Sequence, residues 1–280
     1  ANCVCMGTPI DPCLANILEM EFQTDGISEV QWAVHDLLTD ALVQSDGGPL
    51  TGSTIVGWSF CLPDGCYRLV VTDDGGDGIV GGGYLLRTVE PALHRIIDNS
   101  FNFSTGSTSA IANNEGFCLP LGAGRLIQSS CDKLDWRTTP CAAEYMVATD
   151  NPAVTLQEGV SDATSGYQAW WYDPNGGYSY KRFQSFLTPN GLAPGPVRAC
   201  HFKLNGWNGN QLQEGVLYNA KVRTRVNGVY YAWGPACRLM IDNAAAQCPR
   251  AKLMDLVDNT HLSCGQVRPV STTALVHARP

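Results

Sequence analysis

Between Cys61 and Ile79 the chain reads Cys-Leu-Pro-Asp-Gly-Cys-Tyr-Arg-Leu-Val-Val-Thr-Asp-Asp-Gly-Gly-Asp-Gly-Ile, and this stretch narrows the possible folds more than any other. Pro-Asp-Gly is a turn, because proline presets φ and glycine accepts angles that other residues resist. Tyr67, Leu69 and Val71 then alternate with Arg68, Val70 and Thr72, a period of two that buries one face of a strand. The strand runs into Asp73, Asp74 and Asp77, spaced by glycines. Such a carboxylate loop suits a hard cation such as Ca²⁺, and the alternative is an Asx-turn hairpin whose carboxylates cap backbone amides. Cys61 and Cys66 bracket the turn, so a hairpin here would bring them to bonding distance as a local disulfide.

The twelve cysteines are even in number and spread along the chain. Their spacing lacks the paired C-x-x-C units of structural zinc, so a disulfide framework is expected. Sequence proximity pairs Cys61 with Cys66, Cys200 with Cys237 and Cys248 with Cys264. Proximity is a weak guide for the last two, since twelve cysteines allow on the order of ten thousand connectivities.

Disulfides, together with a formal charge of −8 and only 16% charged residues, fit a secreted, β-rich protein. The acidic balance argues against nucleic acid and anionic membrane as partners. No apolar run is long enough for a membrane span, and Ala1 without a preceding Met is what signal-peptide removal leaves. The expected location is extracellular or cell-surface.

Short alternating runs separated by Gly, Pro, Asn and Asp recur throughout, which predicts an all-β chain of tandem sandwiches. After an N-terminal segment (1–12), a first sandwich is expected over 13–90, with strands at 17–22, 30–36, 41–45, 54–62, 66–72 and 82–87. Trp32 is its candidate core anchor. Residues 91–124 read as an ordered connector. A second sandwich spans 125–248, with strands at 145–148, 166–172, 178–186, 197–204, 216–226, 229–232 and 237–242. Asn227-Gly228 is a type I′ hairpin signal, and the long hairpin followed by Trp233-Gly234-Pro235 has a fibronectin-type-III-like pattern. The tail, 249–280, ends in a strand-like run at 274–277 with no partner following it.

Catalytic signatures are lacking: there is neither Gly-x-Ser-x-Gly nor His-Glu-x-x-His. Asp132 and Asp135 flank Lys133-Leu134 and fit backbone capping better than a glycosidase pair. The stronger signal is Trp170-Trp171-Tyr172, which must put aromatic rings on both sheet faces. With Tyr167 and Trp171 in the core, Trp170 and Tyr172 become an exposed interface or glycan-stacking surface, unless the 189–195 loop or the neighbouring module covers them.

Several of these segments resemble modules of large secreted surface proteins of Bacteroidota, many of them type IX secretion cargo. The resemblance rests on Cys61–Tyr67 with Asp74–Gly78, on Ser130-Cys131-Asp132-Lys133-Leu134-Asp135-Trp136, on Ser165-Gly166-Tyr167-Gln168 with Trp171-Tyr172-Asp173-Pro174-Asn175-Gly176, and on Arg198–Lys203 and Trp233–Arg238. It implies an adhesive or structural role without catalysis, within a longer polypeptide or an assembly of copies or other surface proteins. The alternatives are a carbohydrate-binding protein and a non-catalytic region of a secreted hydrolase.

Overall fold

The computed structural model describes residues 16–90, 92–127, 129–131, 137–138, 146–150, 163–185, 199–204, 207, 209–242, 252–254 and 277–279. Its elements are almost entirely β-strands, arranged as two sandwiches. The first is built from β1 (Asn16–Gln23), β2 (Ile27–Asp36), β3 (Leu42–Thr51), β4 (Ile55–Leu62), β5 (Gly65–Asp73), β6 (Gly83–Glu90), β7 (His94–Asn99), β8 (Thr108–Ala110) and β9 (Phe117–Leu119). One sheet runs β4-β1-β6-β7 and the other β3-β2-β5-β8, with β9 also on β5. The alternation read from sequence sets the inner faces: Leu18, Met20 and Phe22 meet Val30, Trp32 and Val34, all buried. Trp32 stacks on Phe60 across the core at 5.0 Å between ring centroids.

The first sandwich extends beyond residue 90. Within the stretch read as a connector, β7 pairs with β6 while β8 and β9 pair with β5. Strands of three residues, such as Thr108–Ala110 and Phe117–Leu119, are too short for a period of two to declare itself.

The expected Cys61–Cys66 bridge is replaced by Cys66–Cys118. Pro63-Asp64 does not close a hairpin. It carries the chain from β4, paired with β1, to β5 in the opposite sheet, while Cys118 on β9 lies directly opposite Cys66. Cys61 is disulfide-bonded in its own right. Cys237 bonds to Cys131, not to Cys200, which is buried in the second core. Cys248 and Cys264 lie outside the described residues, as do Asp132 and Asp135.

The second sandwich comprises β10 (Arg125–Ile127), β11 (Arg137–Thr138), β12 (Met146–Asp150), β13 (Gly166–Tyr172), β14 (Ser179–Ser185), β15 (His201–Lys203), β16 (Leu217–Val226), β17 (Val229–Tyr230) and β18 (Cys237–Ile241). A sheet β10-β12-β15 faces a larger one, β11-β18-β16-β13-β14, with β17 on β16. Between them pack Leu126, Tyr167, Trp171, Phe202, Tyr218 and Leu239. Asn227 (φ 48°) and Gly228 (φ 84°) take the positive φ angles of the hairpin turn between β16 and β17.

Of the expected tail strand at 274–277 only His277 is among the described residues; it opens β20 (His277–Arg279), which runs antiparallel to β19 (Lys252–Met254), a partner that precedes it in the chain. The bridge Cys131–Cys237 closes a sequence separation of 106. Replacing both cysteines with alanine is expected to cost about 2–5 kcal/mol, measured by denaturant titration. Peptide mapping without reduction is expected to recover Cys66–Cys118 and Cys131–Cys237 as separate linked pairs.

Candidate functional site

The sequence of β13 places Tyr167, Ala169 and Trp171 in the second core and turns Gln168, Trp170 and Tyr172 to the other face. That face is not open. Trp170 and Tyr172 are 2% and 0% exposed and belong, with Trp233, to the buried cluster of the first sandwich. They are a joint within the chain, so the expectation of an exposed aromatic strip is corrected. The first sandwich supplies the second layer that rings on both sheet faces require.

Neighbouring strands dress this face with cations. The register sets Trp170 between Lys181 on β14 and Lys221 on β16. The Lys181 ammonium lies 4.6 Å from the Trp170 ring centre and pairs with Glu115. Lys221 lies 5.7 Å from Trp170 and 5.6 Å from Tyr172, and among the described residues no carboxylate pairs with it. Its burial pushes the ammonium down to about 7. The two ring faces favour the cation and oppose that shift.

The joint is also tied by polar groups. The Asn219 side chain accepts from the Asp98 amide at 2.8 Å and donates to the Asp98 carbonyl at 2.7 Å, completing the backbone of β7 as a strand would. The Tyr172 hydroxyl donates to the Ile96 carbonyl at 3.3 Å. Asn175, in the turn between β13 and β14, accepts from Asn99 at 2.8 Å and from Ser109 at 2.7 Å, and donates to the Asn102 carbonyl at 2.6 Å. The Arg238 guanidinium donates to the Ser100 carbonyl at 2.7 Å and lies 3.8 Å from the Asp98 carboxylate. A cavity of about 630 Å³ remains beside the joint, lined by Arg87, His94, Arg95, Arg125, Ser130 and Pro235 among others.

Farther along the same face the surface opens. The Arg223 guanidinium stacks 4.1 Å from the Tyr230 ring and 4.4 Å from Trp233, and its Nε donates to Gln168 at 2.8 Å. Arg225 lies 4.9 Å from Tyr230 and 5.0 Å from Phe183. Tyr230 and Tyr231 are 38% and 57% exposed. Among the described residues neither guanidinium has a carboxylate partner. Sequence reasoning passed over this row, although Asn219, Lys221, Arg223 and Arg225 recur at a spacing of two through β16. The signal was present in the alternation and was masked by the neighbouring aromatics.

In the acidic loop, Asp73 is buried and its Oδ2 accepts from the amides of Gly76 (2.7 Å) and Gly78 (3.0 Å). That is the capping geometry of an Asx turn, and it engages the carboxylate that sequence offered to Ca²⁺. Asp74 and Asp77 are exposed, and Gln31 donates to Asp74 at 3.4 Å. Glu29 and Asp77 approach the loop near Gly75, where an added Cβ would lie 2.8 Å and 2.9 Å from their oxygens. Among the described residues no group of three His, Cys, Asp or Glu side chains is arranged to hold a metal ion. No helix among them is long and apolar enough to cross a membrane.

No protein-family model matches the chain, and no curated protein or solved structure is detectably similar to it.

Trp170→Ala is expected to cost about 3–5 kcal/mol in denaturant titration, as for a large core side chain. Lys221 gives the joint a pH signature. Its folded value, about 7, lies below its unfolded value near 10.5, so the unfolded chain holds more protons between those limits. Stability should therefore rise from pH 7 toward pH 10, by at most about 1.4 kcal/mol per pH unit. Tyr84, pushed up to about 12 by burial, acts oppositely above pH 10, where only the unfolded phenol ionises. Melting temperatures across this range should trace the rise in the wild type and a flat profile in Lys221→Met.

Proposed function

We propose that the chain is a non-catalytic, extracellular structural or adhesive unit, acting as a segment or subunit of a larger surface assembly. The observation that carries this reading is the burial of Trp170, Tyr172 and Trp233 inside the first sandwich's core, which joins two sandwiches into one stiff body. A hinged pair of modules would leave a polar, wettable contact between them. Here a hydrophobic core and a hydrogen-bond network cross the boundary, the construction expected of a spacer that must transmit load. The bridges Cys66–Cys118 and Cys131–Cys237 brace the first and the second sandwich internally, and disulfides suit an oxidising, extracellular location. The resemblance to surface modules of Bacteroidota agrees with this role, and copies of the chain or other surface proteins are the partners it implies. Ca²⁺ at Asp73, Asp74 and Asp77 stays within the proposal as an accessory ion, now competing with the amides that hold Asp73. An unchanged melting temperature in chelator removes it.

Carbohydrate binding is a second reading, favoured by one observation. The guanidiniums of Arg223 and Arg225 stack by their faces and keep most in-plane N–H donors unspent, beside the exposed Tyr231. Planar donors of that kind match carboxylate or sulfate groups of acidic glycans. The two readings separate in paired measurements. The structural reading expects one cooperative calorimetric transition for both sandwiches and scattering from a rigid elongated particle. Two transitions, or a hinged ensemble in scattering, would overturn it. Retention of the wild type on an acidic polysaccharide, lost in Arg223→Ala with Arg225→Ala, would transfer the function to glycan binding.

A further inference from the structure

The edges of the first sandwich are treated unequally. At one end of each sheet the edge strand lies at the joint, where β7 meets Asn219 and β8 meets Asn175. At the other end lie β3 and β4. Edge strands expose unpaired backbone groups and invite other chains, so proteins commonly guard them with charge, proline or irregular backbone. β3 carries such guards: Asp46, then Gly47 and Gly48 at φ 128° and 137°, then Pro49. β4 carries none. Its eight residues, Ile-Val-Gly-Trp-Ser-Phe-Cys-Leu, include no charge and no proline.

The open hydrogen-bonding groups can be assigned. The Thr24 amide donates to the Thr54 carbonyl at 2.9 Å, continuing the register that pairs Gln23 with Ile55. In an antiparallel ladder hydrogen-bonded pairs alternate, so the even residues of β4 bond to β1. Ile55, Gly57 and Ser59 therefore turn their amides and carbonyls to the edge. Their side chains share the outer face with Glu19 and Glu21, whose charges are met by Arg87 at 2.9 Å and 3.0 Å. The inner face ends in Val56 and Trp58, both only half-buried at the rim of the core.

We propose that β4 is a self-pairing edge, joining two copies of this chain antiparallel about a two-fold axis through Gly57. In that register Ile55 of one copy lies opposite Ser59 of the other and Gly57 opposite Gly57, each exchanging main-chain bonds. Val56 then faces Trp58 of the partner copy in the close, non-hydrogen-bonded pairing, an aromatic against a β-branched side chain. The second copy is the fitting occupant for three reasons: the edge is complementary to itself, it carries no charge in a chain of net −8, and its half-buried inner residues pair large with small. The two four-stranded sheets become one continuous sheet, with the second sandwiches at its far ends. The inference rests on the assembly reading and gives that assembly its first contact.

Sedimentation of the wild type and two variants, over a range of concentrations, tests it. Ser59→Pro removes an outward amide and no bond to β1; Gly57→Lys sets two ammonium groups together at the axis, while within one copy it approaches Glu19. A wild-type dimer, lost in Ser59→Pro and weakened at least tenfold in Gly57→Lys at low salt, with melting temperatures unchanged, supports the proposal. A wild-type dimer or larger species that both variants retain overturns the β4 interface and leaves the assembly reading standing on another contact. A wild type that remains monomeric at every concentration overturns the β4 interface and leaves the assembly reading to partners other than this chain.

Discussion

Strand β13 is buried on both faces, and the rest of the architecture follows from that constraint. Tyr167 and Trp171 need a layer on one side, Trp170 and Tyr172 a layer on the other, and a lone sandwich provides only the first. The first sandwich therefore serves as the outer layer of the second. This placement also decides which polar groups can be tolerated between them. Asn219 is fully buried yet spends its amide on both backbone groups of Asp98, which keeps its burial cost low. Lys221 has no such partner, so its burial lowers the ammonium against the opposing pull of the two ring faces.

Much of the strand pattern was legible because each inner face is apolar at every second residue. β1, β2, β5 and β13 match their alternation closely, and the Asn227-Gly228 turn announced its hairpin. The disulfides were less readable. A Pro-Asp-Gly turn between cysteines is compatible with a hairpin and with a crossing between sheets, and only long-range pairing decides which. Cys118 sits 52 residues from Cys66 and becomes its neighbour through β9, an element too short to recognise.

The same limit explains the site. Alternation correctly sent Trp170 and Tyr172 to the face opposite Trp171, but whether that face meets water depends on an entire sandwich elsewhere in the chain. Burial is a property of the assembled layers, whereas side-chain direction belongs to the strand. The cation row on β16 suffered from the converse error. Arg and Lys at a spacing of two look like a solvated strand face, and their true setting, stacked on Tyr230, Trp233 and Trp170, exists only once β13, β16 and the 229–233 segment are together.

The asymmetry between the ends of the first sandwich gives these features a common direction. On the joint side, backbone groups of β7 are met by Asn219 and Tyr172, and the Ser109 hydroxyl of β8 donates to the turn at Pro174 and Asn175, so the chain closes upon itself. On the far side, β3 is made unfit for pairing, while β4 keeps a regular and uncharged backbone. A protein that only needed to avoid aggregation would guard both edges, since a single open one is enough to recruit another chain. Guarding one and leaving its neighbour open confines association to one strand and one orientation, which is what distinguishes a specific contact from indiscriminate sheet growth.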